Sequence, residues 1–236
     1  MASASKYSIA LVAGMLAYTI MGCTAAAAQE YKYEIGGMAG TSMYLGDANE
    51  TDLFREWHPA GGLIYRYNLN FRWALKAGLL MGRVSGDTKN EANVFPGQAQ
   101  AAFKRNFFDL GGQIEFNFLP YSDKYSYLNT RKISPYLFAG LGFTLAPDKD
   151  VFFGLNLPVG IGVKYKIMHK VNLGVEYAVH RLLGDAFDTP RSGEGFHLNN
   201  PYRVPQGMFK NKDWYNTLLF SISWEFGLRD ERCTTD

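Results

Sequence analysis

The sequence has little charge, little cysteine and no long apolar segment in its body. Charged residues make up 19% of the chain, and the formal net charge of +2 gives no reason to expect nucleic-acid binding. Removal of an N-terminal leader would leave Cys233 as the one remaining cysteine, which excludes an internal disulfide. Beyond the leader no run of about 18 apolar residues occurs, so we expect no membrane-spanning helix. Aromatic residues, at 15%, are plentiful.

Residues 1–28 are predicted to be a signal peptide. Lys6 is the single charge, an apolar stretch covers 9–21, and four alanines at 25–28 suit signal peptidase, which makes Gln29 the first mature residue. A retained membrane anchor is the alternative, although the segment is short for one. Residues 20–23, Ile-Met-Gly-Cys, loosely resemble a lipoprotein cleavage box, so lipidation of Cys23 is a second alternative.

The segment 155–180 shows the clearest pattern in the chain. Apolar residues fill every second position of 155–165 and of 171–179, and a short polar break separates the two runs. A period of two indicates strands, and the break indicates an antiparallel hairpin. The face opposite the apolar one contains glycine and ionisable residues, including Lys164, Lys166 and Glu176.

This combination of faces favours a narrow membrane barrel. Large apolar groups would face lipid, while glycines and paired polar groups would fill a cramped interior. A soluble sandwich is the alternative, but its outer face would carry charge and few glycines, because glycine weakens strands and covers nothing.

The same alternation recurs along the chain and predicts an all-β fold: an eight-stranded antiparallel transmembrane up-and-down β-barrel, over 29–228, followed by a periplasmic tail, 229–236. The predicted strands are 31–44, 57–68, 71–82, 108–118, 136–145, 155–166, 171–180 and 213–227.

An even number of strands places both termini on one side, which we expect to be the periplasm of a bacterial outer membrane. The periplasmic connections would be 68–70, 120–132 and 168–170, and the outward loops 45–56, 86–102, 146–150 and 185–212. An aromatic belt is predicted near the periplasmic strand ends, formed by Tyr33, Tyr67, Trp73, Phe118, Tyr165 and Trp224.

Ionisable residues on the glycine-rich faces are predicted to lie inside the barrel. They include acids and bases and would neutralise one another as ion pairs; a proton or ion path is the alternative. A solute pore is not expected, because eight strands leave room only for side chains. The ten predicted interior charges are Glu34, Arg66, Arg72, Lys76, Asp109, Glu115, Lys164, Lys166, Glu176 and Glu225.

The sequence predicts no catalytic site, no metal and no cofactor. Its four histidines lack the close spacing of a zinc motif, and no G-x-S-x-G segment occurs. A lipid-modifying barrel enzyme is the alternative, and would use His58, His197 and Asp185 in the outward loops.

Several motifs, in this order and spacing, resemble the PorG-like outer-membrane barrels of Bacteroidota. They are Glu-Ile-Gly-Gly at 34–37, Tyr-Leu-Gly-Asp at 44–47, Tyr-Arg-Tyr-Asn at 65–68, Glu-Phe-Asn-Phe at 115–118, Ser-Pro-Tyr-Leu-Phe-Ala-Gly at 134–140, Gly-Val-Glu-Tyr at 174–177 and Asp-Trp-Tyr at 213–215. The resemblance implies a non-enzymatic barrel in the type IX protein secretion system, which ties a periplasmic ring of PorK- and PorN-like proteins to the outer membrane.

The family's contact residues do not transfer to this sequence, so the contact surface is predicted from geometry alone. A ring partner must touch the periplasmic side, and outer-membrane lipid must surround the wall. The candidate partner contacts are Tyr125, Tyr127, Arg131, Lys132, His169, Lys170, Arg229 and Arg232. The long 185–212 loop leaves adhesion or surface binding as a second possible function.

Overall fold

The computed structural model describes residues 31–45, 57–87, 102–123, 129–147, 151–183 and 214–228. Each strand pairs antiparallel with its neighbours in sequence, and the last strand pairs with the first, so the sheet closes into an eight-stranded barrel. The strands are β1 (Tyr31–Leu45), β2 (His58–Asn68), β3 (Trp73–Asp87), β4 (Ala102–Asn117), β5 (Ile133–Ala146), β6 (Phe152–Met168), β7 (Val171–Leu183) and β8 (Trp214–Leu228).

The predicted fold is thus confirmed in strand number, order and pairing. No helix long and apolar enough to cross a membrane is present among the described residues. The predicted signal peptide and the tail 229–236 lie outside the described residues.

The two ends of the barrel differ in their connections. The end that we call the turn end bears Tyr31, Leu228 and the connections 69–72, 118–132 and 169–170. The opposite end, the loop end, bears the connections 46–57, 88–101, 147–151 and 184–213.

The alternation in the hairpin of β6 and β7 places its two faces as predicted. Ile161 is 58% exposed and Val175 is 41% exposed, whereas Lys164 and Glu176 are buried. The interior glycines make room for large neighbours: a Cβ built on Gly162 would lie 2.5 Å from Cζ of Tyr136. Apolar groups therefore cover the outside of the cylinder, as a lipid-facing wall requires.

Aromatic rings gather on this wall near the turn end. The ring of Tyr33 lies 5.6 Å from that of Tyr67 and 5.5 Å from that of Phe226, and Trp73 lies 4.8 Å from Phe116. These contacts join β8, β1 and β2 on one side and β3 and β4 on another, in the region where the sequence predicts an aromatic belt.

Toward the loop end the chemical character of the two faces inverts on β3 and β4. Val84 and Phe107 are buried, while Arg83 and Asn106 are exposed and join through an Nε–Oδ1 hydrogen bond of 2.7 Å. The outer wall of these two strands suits water at this end, whereas Phe153 on β6 is still 68% exposed, and the interior is a small hydrophobic core. That core consists of Ala60, Leu80, Val84, Phe107, Ala146, Phe152, Leu182, Tyr215 and Leu219.

This inversion explains the largest difference from the predicted bounds. We expected β4 to begin at 108 and the preceding loop to cover 86–102, yet β3 extends to Asp87 and β4 begins at Ala102. Strands were recognised in the sequence by an apolar outer face. Their ends are therefore missed where the strands extend beyond the apolar wall.

Candidate functional site: a filled interior and a structured turn end

One arginine lies at the centre of the interior and contacts carboxylates from three other strands. Arg66 on β2 pairs with Glu34 on β1, and its Nε lies 2.8 Å from Oε2 of Glu115 on β4. Its Nη2 lies 3.6 Å from Oε1 of Glu176 on β7. A planar guanidinium has enough donors to satisfy several carboxylates at once, which makes arginine suited to this position.

Three lysines complete the cluster around these carboxylates. Lys76 Nζ lies 2.7 Å from Glu176 Oε2, Lys164 binds Glu115, and Lys166 Nζ lies 2.6 Å from Glu225 Oε2. The four buried acids Glu34, Glu115, Glu176 and Glu225 thus match the four buried bases Arg66, Lys76, Lys164 and Lys166. The cluster is neutral as a whole, so burial leaves no unpaired charge among these eight groups.

A second polar network lies nearer the loop end and is centred on Asp109. Oδ2 of this carboxylate accepts hydrogen bonds from Thr144, at 3.1 Å, from Asn156 and from Tyr215. Nδ1 of His180 is 3.8 Å from the same oxygen, and the His180 ring stacks on Tyr215 at 4.3 Å. Three neutral donors therefore satisfy an acid that lies away from the lysine cluster.

Nine of the ten predicted interior charges are buried, and Arg72 was wrongly placed. Arg72 is exposed, lies in the turn before β3, and donates from Nη1 to the carbonyl of Phe118 at 3.0 Å. Strand alternation does not apply to it, because the turn sets its direction. Among the described residues, two further buried side chains of basic type were not predicted, Arg105 and His180. The alternation of β7 does place His180 on the polar face, but Arg105 lies in the part of β4 that precedes the predicted strand 108–118.

The interior is filled between its two networks. A cavity of about 30 Å³ lies between Lys76, Glu176, Asp109 and His180. That volume suits one or two water molecules and no larger solute. Above it, the small hydrophobic core occupies the lumen at the loop end.

The described parts of the connection after β4, residues 118–123 and 129–132, cover the mouth of the barrel at the turn end. Tyr121 is 2% exposed, donates a hydrogen bond to Asn172 Oδ1 at 2.8 Å, and receives Lys166 Nζ over its ring at 5.4 Å. Its backbone is held as well, since the Tyr121 amide donates to the Phe71 carbonyl at 3.1 Å. Burial raises the pKa of the Tyr121 hydroxyl well above its usual range.

Further backbone hydrogen bonds join residues 118–123 to residues 129–132 as a platform across the barrel mouth. The Arg131 amide donates to the Pro120 carbonyl at 2.8 Å, and the Ser122 amide donates to the Arg131 carbonyl at 3.1 Å. The Lys166 amide donates to the Lys132 carbonyl at 2.8 Å, which ties the platform to β6. The side chains of Arg131 and Lys132 are exposed on this fixed backbone.

A histidine on the neighbouring turn joins the platform to β1. His169 Nδ1 lies 3.1 Å from Asp123 Oδ2, and its Nε2 lies 3.2 Å from the Tyr31 hydroxyl. Four of the predicted partner contacts, Arg131, Lys132, His169 and Lys170, therefore lie together at the turn end. The other four, Tyr125, Tyr127, Arg229 and Arg232, lie outside the described residues.

The structured turn end was not predicted. The sequence predicted 120–132 only as a periplasmic connection, because alternation gives no information on a segment that is not a strand. The position of Tyr121 directly after Pro120 is the one local signal of an inserted side chain. Among the residues that the structure describes, no group of three or more His, Cys, Asp or Glu side chains is placed to hold a metal ion.

Comparison with solved structures finds small barrels of low sequence identity. Neisserial surface protein A is 13% identical, over 82% of this chain and 97% of that one, with a TM-score of 0.48. Ail, the attachment invasion locus protein of Yersinia pestis in complex with the heparin analogue sucrose octasulfate, is 11% identical over 84% of this chain and 100% of that one, with a TM-score of 0.47. The outer membrane protein OprG from Pseudomonas aeruginosa is 12% identical over 84% of this chain and 98% of that one, with a TM-score of 0.45. Similarity at this level carries no statement about shared function.

No curated protein matches the chain in sequence. One family model does match, and it covers residues 13–235, which is nearly the whole chain. The chain therefore belongs to the family described as Domain of unknown function (DUF6089).

Proposed function

We propose that this protein is a non-enzymatic, integral outer-membrane barrel that anchors a periplasmic ring of the type IX secretion system through its turn end. The observation that carries the proposal is the platform of residues 118–123 and 129–132, which inserts Tyr121 into the barrel mouth and presents Arg131 and Lys132 on a fixed backbone. The motifs that resemble PorG-like barrels supply the identity of the partner, a ring of PorK- and PorN-like proteins.

The wall of the barrel supports an outer-membrane location. A closed barrel satisfies every strand edge within the sheet, which is the one way in which strands can cross a bilayer. The wall exposes large apolar side chains and the interior buries the charged ones. A chain that inserts from the periplasm leaves both termini on that side, so the turn end faces the periplasm in this proposal.

The filled interior supports a scaffold rather than a channel. The ion cluster, the Asp109 network and the hydrophobic core occupy the lumen in succession from the turn end to the loop end. Tyr121 closes the turn end. Function is therefore expected at the ends of the cylinder and not along its axis.

Charge at the turn end supports an acidic partner surface. Outside the strands, the described part of this end carries the cations Arg72, Arg131, Lys132 and Lys170 and one anion, Asp123. Asp123 is already paired, with His169 at 3.1 Å. Opposite charge on a ring protein would steer its docking and fix its register.

Reversal of two platform charges tests the proposal. Arg131→Glu with Lys132→Glu should leave the barrel folded, because both side chains are exposed, but should abolish copurification of ring proteins from outer membranes in mild detergent. The matched control is Arg83→Glu, which changes an exposed arginine toward the loop end.

Secretion by cells that carry these variants provides the second measurement. Loss of secretion in the double variant and normal secretion in the control would support the proposal. If the double variant copurified with the ring and secreted normally, the docking role would be wrong. Loss of surface binding on deletion of 185–212, with secretion intact, would instead favour the adhesion alternative.

A further inference from the structure

The lipid-facing wall contains a groove that none of the features above uses. It has a volume of about 490 Å³ and crosses strands β2 to β5. Small residues form its floor, namely Ala77, Gly112 and Ala139, and Tyr65 and Leu141 stand on either side. Pockets that hold small ligands span about 300–1,000 Å³, so the groove is large enough for one.

The sequence keeps this groove open at a position where the fold does not require glycine. A Cβ built on Gly112 would meet no atom within 4 Å, and Gly112 does not have a positive φ. The neighbouring Gly140 is different, since its Cβ would lie 2.1 Å from the Gly112 carbonyl oxygen. Glycine weakens a strand and often marks a position that a ligand approaches closely. Approach of a ligand would therefore explain the glycine at position 112, which packing within the chain does not explain.

The location of the groove identifies the chemistry of its occupant. Tyr65 and Tyr67 line it and belong to the aromatic group around Tyr33, whose ring lies 6.2 Å and 5.6 Å from theirs. Aromatic belts lie at the level of lipid headgroups. Ala77 and Gly112 pair in register further into the wall, so the groove extends from the belt toward the middle of the membrane.

We propose that this groove binds one acyl chain of a membrane lipid, with the headgroup at the level of Tyr65 and Tyr67. The groove is continuous with the surface that contacts the bilayer, so hydrocarbon is the material that reaches it first. An acyl chain gains no hydrophobic free energy when it moves from surrounding lipid into the groove. Its preference for the groove comes instead from van der Waals contact with the floor and the two sides. The proposal rests on the membrane location proposed above and not on the secretion role.

Photolabelling by a lipid tests the site. The full-length barrel would be placed in vesicles of phosphatidylethanolamine and phosphatidylglycerol that contain a phospholipid with a diazirine in its acyl chain. After irradiation, mass spectrometry should find several-fold more label on peptides that contain Tyr65, Ala77 and Ile114 than on peptides of β7 and β8. Uniform labelling around the wall would overturn the proposal.

Two glycine-to-tryptophan substitutions test whether the enriched labelling depends on the groove or on the wall in general. Gly112→Trp fills the groove and should reduce the label there to the level of the other strands. Gly37→Trp is the control, because a Cβ on Gly37 lies 3.9 Å from its nearest neighbour and the residue does not line the groove. Heat-modifiable migration in electrophoresis reports whether each variant folds, and Gly112→Leu replaces Gly112→Trp if the larger residue prevents folding.

Other occupants give distinct results. A dimer in native mass spectrometry that Gly112→Trp abolishes, with no enrichment of lipid label, would assign the groove to a second copy of the chain and would overturn the lipid proposal. Unchanged groove labelling in Gly112→Trp would also contradict it.

Discussion

The hydroxyl of Tyr121 donates a hydrogen bond to Oδ1 of Asn172 at 2.8 Å, across the mouth of the barrel. Asn172 in turn donates from Nδ2 to Glu225 Oε1 at 2.9 Å, and Glu225 accepts from Lys166. Tyr121, a residue of a connection, is thereby joined to buried polar and charged side chains of three strands. The platform at the turn end and the ion cluster therefore share one hydrogen-bonded network.

Replacement of Tyr121 should destabilise the barrel according to how much of the side chain is lost. Tyr121→Phe removes one hydrogen bond, and we expect a loss of about 0.5–1.5 kcal/mol in the free energy of unfolding. Tyr121→Ala also removes the ring from the mouth and should cost about 3–5 kcal/mol. Urea unfolding in lipid vesicles measures both. Tyr165→Phe is the control, because Tyr165 is exposed on the wall and its change should have little effect.

High pH should weaken the barrel partly through the same hydroxyl. Burial raises the pKa of Tyr121. A raised pKa means that its contribution to stability is complete below the unfolded value of about 10 and is lost as pH rises above it, because only the unfolded chain then releases the proton. The slope attributable to one such group is about 1.4 kcal/mol per pH unit. Tyr121→Phe should lose stability less steeply above that pH than the wild type, and an identical slope would contradict the buried position.

Glu115→Gln should be among the most destabilising single changes in the interior. Its carboxylate contacts Arg66 at 2.8 Å, Lys76 at 3.6 Å and also Lys164, so neutralisation leaves excess positive charge in a buried site. Removal of one partner from a buried ion pair costs about 3–5 kcal/mol. Arg72→Gln, at the exposed arginine, should change stability by no more than about 0.5 kcal/mol. Equal effects of the two substitutions on urea unfolding would contradict the buried network.

Arginine on the outer wall should be costly in proportion to its depth. Ile161 is 58% exposed on β6, and Ile167, 51% exposed, lies beside the turn at 169–170. We expect Ile161→Arg to cost about 2–4 kcal/mol and Ile167→Arg about 0–1 kcal/mol. Folding efficiency into vesicles and urea midpoints report the difference. If the two variants were equally stable, the wall at Ile161 would not be facing lipid.

Alternation was sufficient to predict the eight strands, their pairing and which face of each strand lies on the outside of the barrel. Side chains alternate strictly between the two faces of a strand, so the pattern fixes the outward face of all its residues together. It placed Glu115 and Lys164 inside from the sequence alone. Their pairing across strands was not predictable, since it depends on the stagger of a closed barrel. The alternation rule did not apply to Arg72 and Tyr121, because both lie in connections between strands. It also failed for the part of β4 near Arg105, because the outer face of the strand becomes polar there.

Docking at the turn end can be tested by photocrosslinking in living cells, with a photoreactive amino acid in place of Lys132 at the turn end or of Arg83 toward the loop end. We predict adducts between position 132 and periplasmic ring proteins, and no such adducts from position 83. Ring adducts from position 83 alone, or from neither position in cells that secrete normally, would contradict the docking role of the turn end.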